Sequence, residues 1–194
     1  MKNHTKRKLF SLAVIAICLS IVGTGTLAYF TDSTTAHNVI TTGNIDIELI
    51  ETKADGSTFT DVIGVMPGTS VSKIVEVKNV GDNAAWVRVN VDKEINLRNG
   101  EAGDADAYLS IDYNTGNGET QWTKDGSYYY YNQALAPSEK TSPLFREVLF
   151  SANMGNEYQN STAQVYVYAQ ATQVDNNGTG ALDAAGWPTS SNAN

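Results

Sequence analysis

The sequence predicts an all-β protein, a jelly-roll-like antiparallel β-sandwich, behind a cleaved N-terminal signal helix. Three observations carry this. Apolar and polar residues alternate at period two in several short runs, the spacing of strands with one buried face. Turn pairs punctuate the runs at Asp55-Gly56, Pro67-Gly68 and Asp125-Gly126. After residue 28, no stretch carries three turns of helical periodicity.

The N-terminus reads as an export signal. Lys2, Lys6, Arg7 and Lys8 are basic, Leu9 to Val22 is apolar apart from Ser11 and Ser20, and Gly23 to Thr26 break the run. Thr26 and Ala28 place small side chains at −3 and −1 of a cut before Tyr29. The apolar stretch falls short of the ~20 residues a spanning helix needs. Residues 1–28 are therefore expected to meet a signal peptidase and touch the membrane only transiently. The mature protein is expected to be secreted, extracellular or at the cell surface.

Residues 29–43 form a polar leader or a donor segment, residues 44–174 the sandwich, and residues 175–194 a flexible C-terminal tail. Within the sandwich, Ile45, Ile47 and Leu49 mark a first strand, and Val71, Val75 and Val77 a second. Asn79 to Asn83 is a turn, and Val87, Val89 and Val91 alternate with Trp86, Arg88 and Asn90 in a third strand. Residues 96–107 are rich in Gly and acids and read as a long loop. Tyr108 to Tyr113 suits a short strand. Gln121 to Lys124 and Ser127 to Asn132 flank Asp125-Gly126 as a hairpin. Phe145 to Phe150 is a strand with Phe145 and Leu149 inward. Asn153 to Asn160 is a loop with a helical turn, and Gln164 to Thr172 is a strong last strand. After Val174 only isolated apolar residues remain.

Charge and composition remove whole classes of function. Cleavage takes four basic residues, leaving nine Lys and Arg against 21 Asp and Glu, a net charge of −12. Nucleic acid and anionic lipid are poor partners for such a surface. Cys18 leaves with the signal, so no disulfide is possible, and of the two histidines only His37 remains. Zinc hydrolysis needs deprotonated nitrogen or sulfur ligands, and there is no HExxH. No GxSxG frames a nucleophile. The expectation is no catalytic residue, no metal centre and no cofactor.

Four features stay as candidates. Glu101, Asp104 and Asp106 share one loop, and Asp175 to Gly178 forms another oxygen-rich turn; calcium takes such ligands, but the spacing is not that of an EF-hand, so a solvated acidic loop is favoured. Tyr128, Tyr129, Tyr130 and Tyr131 run together, and in a strand two must face each way. They supply either an aromatic contact surface or hairpin packing, with packing favoured. Trp86 and Arg88 share a strand face, which suits an arginine laid on an indole. Asn160-Ser161-Thr162 and Asn177-Gly178-Thr179 match a glycosylation pattern short enough to arise by chance.

Four segments in order resemble the TasA/camelysin family of secreted biofilm matrix proteins. They are GTGTLAYFTD (Gly23 to Asp32), TTGNIDIEL (Thr41 to Leu49), MPGTSVSKIVEVKNVGDNAAWVRV (Met66 to Val89) and VYVYAQATQ (Val165 to Gln173). The first looks like a substrate of the SipW-type signal peptidase. The resemblance implies a jelly roll in a fibrous extracellular role, with self-association by passage of an N-terminal strand into the next subunit's sheet. Carried onto this chain, the donor lies in Tyr29 to Asn44, with Tyr29, Phe30, Val39 and Ile40 as anchors. Two alternatives stand beside it. One is a monomeric extracellular module that binds a polymer or calcium. The other is the metallopeptidase class in which some camelysin relatives are placed, disfavoured by the histidine count.

Overall fold

The computed structural model describes residues 38–41, 45–60, 62 and 65–188. Thr26, Ala28, Tyr29 and Phe30 lie outside the described residues, as does His37.

The alternating runs form strands that sort into two sheets. Sheet A holds β1 (Asn38–Thr41), β10 (Thr162–Gln173), β4 (Ala85–Asn96), β8 (Tyr128–Tyr131) and β7 (Trp122–Asp125) in that order, with β5 (Ala102–Gly103) also paired to β4. Sheet B runs β2 (Ile47–Thr52), β3 (Ser70–Asn79), β9 (Phe145–Phe150) and β6 (Leu109–Ile111). The spine of sheet A is a twelve-residue antiparallel ladder from Ala85↔Gln173 to Asn96↔Thr162. Among the named strands one pairing is parallel: β1 lies on β10, from Asn38↔Tyr168 to Thr41↔Ala171.

The core fills the gap between the sheets. From sheet A come Val87, Val89, Trp122, Tyr129, Tyr131, Val167, Ala169 and Ala171. They meet Leu49, Val75, Val77, Phe145, Val148 and Phe150 of sheet B. Trp122 is fully buried, and its ring centroid lies 5.0 Å from that of Tyr131. With no disulfide available, stability rests on this apolar contact and on the ladders.

Two expectations are corrected. Residues 96–107 are not one open loop. Ala102–Gly103 returns along Ile95 and Asn96 as β5, and a single-turn helix α1 (Ala105–Tyr108) follows, capped by the Asp104 carboxylate accepting from the Ala107 N–H at 2.9 Å. Leu149 faces out, 38% exposed, while Val148 and Phe150 face in. The cause is a bulge: pairing steps from Ser72↔Glu147 to Val75↔Phe145, three residues on β3 against two on β9, which shifts the inward phase between Phe145 and Val148.

Candidate functional site

Three regions hold the residues the sequence singles out. The first is the edge of sheet A. Val39 and Ile40 lie in β1, which adds to β10 of its own chain through backbone pairing and is joined to β2 through residues 42–46. The other two donor anchors, Tyr29 and Phe30, and the cleavage residues fall outside the described residues. Beneath the first half of β10 lies a small cleft of about 30 Å³, with Phe59, Val62, Val71, Val148 and Val165 on its wall.

Lys73 forms part of the same wall, and its side chain is turned inward. Its Nζ lies 2.9 Å from Oε1 of Glu51, with the two side chains 5% and 8% exposed, and 4.1 Å from the centre of the Phe59 ring. Sequence reading missed this pair. The signal was present: Lys73 shares the phase of Val71, Val75 and Val77, and Glu51 that of Ile47 and Leu49. Opposite charges in the inward phase of neighbouring strands point to a buried pair, since neither is tolerated there alone.

The second region is the outer face of sheet A. The tyrosine run divides as a strand requires. Tyr129 and Tyr131 point into the core, where Tyr129 stacks on Tyr113 at 4.3 Å. Tyr128 and Tyr130 point outward but do not form a bare surface, because residues 174–188 lie over them. The Arg88 guanidinium sits 3.9 Å from the Tyr128 ring and 4.6 Å from the Trp187 ring. Its indole partner is therefore Trp187, not Trp86. Trp86 instead donates from Nε1 to the Asn177 carbonyl at 2.9 Å. The segment expected as a loose tail is thus held by named contacts through residue 188.

The third region is the acidic loop, and its carboxylates do not converge. Asp104 caps α1, Asp106 pairs with Lys93 at 3.0 Å, and Glu101 accepts from the Asn99 amide at 2.8 Å. In the second sequon, the Asn177 side chain is engaged with Thr172, Gln173 and Ala185.

Hydrogen bonds from Ser57 lower the proton affinity of the Asp55 carboxyl, and two tyrosine phenols are raised. Burial, with Tyr129 alongside, pushes the Tyr113 phenol far above its ordinary range. Partial burial and the Asp92 carboxylate raise Tyr168 as well. Neither is poised to transfer a proton near neutral pH.

Residues 4–120, more than half of the chain, match the family model described as camelysin metallo-endopeptidase. No curated protein matches the chain. The family description implies a metal, and the donors can be tested against it. His4, Cys18 and His37 all lie outside the described residues, so carboxylates are the main metal donors within them. Among the described residues no group of three or more His, Cys, Asp or Glu is placed to hold a metal ion. Several carboxylates already serve a lysine or a helix cap. The donor set of the described residues does not fit a metallopeptidase centre.

Proposed function

We propose that this chain, which belongs to the camelysin metallo-endopeptidase family, is a secreted, non-catalytic structural protein. It serves as a subunit or accessory of an extracellular biofilm matrix fibre and assembles by N-terminal strand addition. The observation that carries this reading is β1. A four-residue N-terminal strand is laid parallel on the edge of sheet A, so its attachment is backbone pairing rather than a tight hairpin. Backbone pairing is indifferent to which chain supplies the strand. A neighbour's segment offers β10 the same donors and acceptors.

Charge supplies the control. At a net −12, mature monomers repel until acid or cations reduce the charge. The test is to purify the chain from Tyr29, concentrate or acidify it, and image it by electron microscopy. Fibres are expected, and deletion of Tyr29 to Ile40 abolishes them while the sheet signal in circular dichroism persists. Fibres that survive the deletion, or a monomer under every condition, overturn the proposal. The family description favours one other reading, a metallopeptidase. Protein cleavage by the purified chain that a chelator abolishes would establish that reading instead.

A further inference from the structure

We propose that the outer face of sheet A is a peptide-binding site for residues 174–188, and that a second copy of this chain is its partner in trans. The face is built by Trp86 and Arg88 of β4, Tyr128 and Tyr130 of β8, and Gln170 and Thr172 of β10. Gln170 and Thr172 project outward yet are 3% and 2% exposed. Polar side chains on an outer face are shielded so fully only when something covers them.

The cover is a strap with a distinct recognition logic. Trp187 meets Tyr130 edge-on at 5.8 Å and flanks the Arg88 guanidinium opposite Tyr128. Arg88 donates from Nε to Gln170 Oε1 at 2.7 Å and from Nη2 to the Pro188 carbonyl at 3.4 Å. Asn177 folds the strap: its Oδ1 accepts from the Ala185 N–H at 2.7 Å, and its Nδ2 donates to the Ala185 carbonyl at 3.0 Å. A tryptophan anchor seated among tyrosine and arginine is the composition of an interface hot spot, not of ordinary surface covering.

Two facts make the strap exchangeable. Its apolar contacts form a cluster of their own, centred on Trp86, Tyr130 and Ala181 and separate from the main core, so it can leave without opening the sandwich. Among the described residues it also contributes no strand to either sheet, the last strand ending at Gln173. An identical copy carries an identical strap. The tethered strap has the advantage until copies are packed to about the millimolar effective concentration of a short linker, and then exchange between neighbours links them. This linkage does not depend on the N-terminal strand.

The experiment uses the full mature chain and a synthetic peptide of residues 174–194. The Trp187→Ala chain, its anchor removed, is expected to bind the wild-type peptide in a fluorescence-anisotropy titration. The wild-type chain, its face already filled, binds at least about tenfold more weakly. The same peptide carrying Trp187→Ala also loses about tenfold or more. In a second measurement, Trp187→Ala chains (open face) are mixed with Arg88→Ala chains (damaged face, intact strap). Sedimentation is expected to show a complex that neither variant forms alone. Circular dichroism establishes that each variant is folded, and Trp187→Leu replaces the alanine variant if it is not. Equal binding of both peptides, or no peptide binding together with a mixture that stays monomeric, overturns the proposal.

Discussion

Breaking the Lys73–Glu51 pair offers the sharpest test of the interior. Nζ and Oε1 are 2.9 Å apart with both side chains less than a tenth exposed, so neither charge is well solvated without the other. Removing one partner strands a buried charge, which costs about 3–5 kcal/mol. Replacing both with apolar residues of similar volume is about neutral or stabilising by roughly 1–4 kcal/mol. Glu51→Leu and Lys73→Met are therefore each expected to be severe, and the double variant mild. For a urea slope of about 2 kcal/mol/M, either single variant lowers the midpoint by roughly 1.5–2.5 M, and the double variant recovers most of that loss. Lys73→Met also removes the cation from the Phe59 face at 4.1 Å, so the double variant should fall slightly short of full recovery. The assay is urea unfolding of all four proteins, followed by circular dichroism as a double-mutant cycle. Single variants costing less than about 1 kcal/mol, or a double variant costing the sum of the two, would refute a buried and coupled pair.

Other expectations follow from single sites. Trp122→Ala removes a fully buried ring that packs on Tyr131, and should cost about 3–5 kcal/mol in chemical denaturation. Gly103→Ala places a Cβ 2.9 Å from Ile95 Cγ2 and 2.9 Å from Tyr158 Cε1, so it should destabilise by about 1–3 kcal/mol through overpacking between β4 and the turn before β10. Alkaline pH should weaken the fold through Tyr113. Burial and its neighbour Tyr129 hold the folded phenol well above its unfolded value, so above pH ~10 the unfolded state sheds a proton that the native state keeps. Its contribution is complete below that pH and is lost as pH rises. Melting temperature should fall as pH rises above about 10, and more shallowly in Tyr113→Phe.

How much of this was legible in the sequence depends on what fixes each feature. The strands were legible because alternation is local: Val87, Val89 and Val91 declare a buried face without reference to any partner. Leu149 was not, because its direction is set by a bulge on the neighbouring strand, where Ser72 to Val75 carries one residue more than β9. A register slip on β3 leaves no mark in the sequence of β9. The region of β5 and α1 was hidden for a related reason. Ala102–Gly103 has almost no strand pattern of its own and is held there by pairing with the end of a twelve-residue β4. The strap was hidden most completely. Its Asn- and Gly-rich composition is that of a loose end, and its order comes from Asn177, which bonds Thr172, Gln173 and Ala185 close by, and from Trp187, whose partners Arg88 and Tyr130 lie far away in the chain.

The tyrosine run divides two and two, with each half packed rather than bare. Period two divides it into pairs without saying what each pair meets. Tyr129 and Tyr131 meet Tyr113 and Trp122 inside the sandwich. Tyr128 and Tyr130 meet Arg88 and Trp187 outside it. One four-residue strand therefore carries two loads, and substitutions along it should alternate in kind. Changes at 129 and 131 act on folding, because they open the main core. Changes at 128 and 130 act on the strap, because only its separate cluster rests on them. On this face Tyr128 and Tyr130 are packed under Arg88 and Trp187, so a substitution at Trp187 should expose them more than one within the tyrosine run itself.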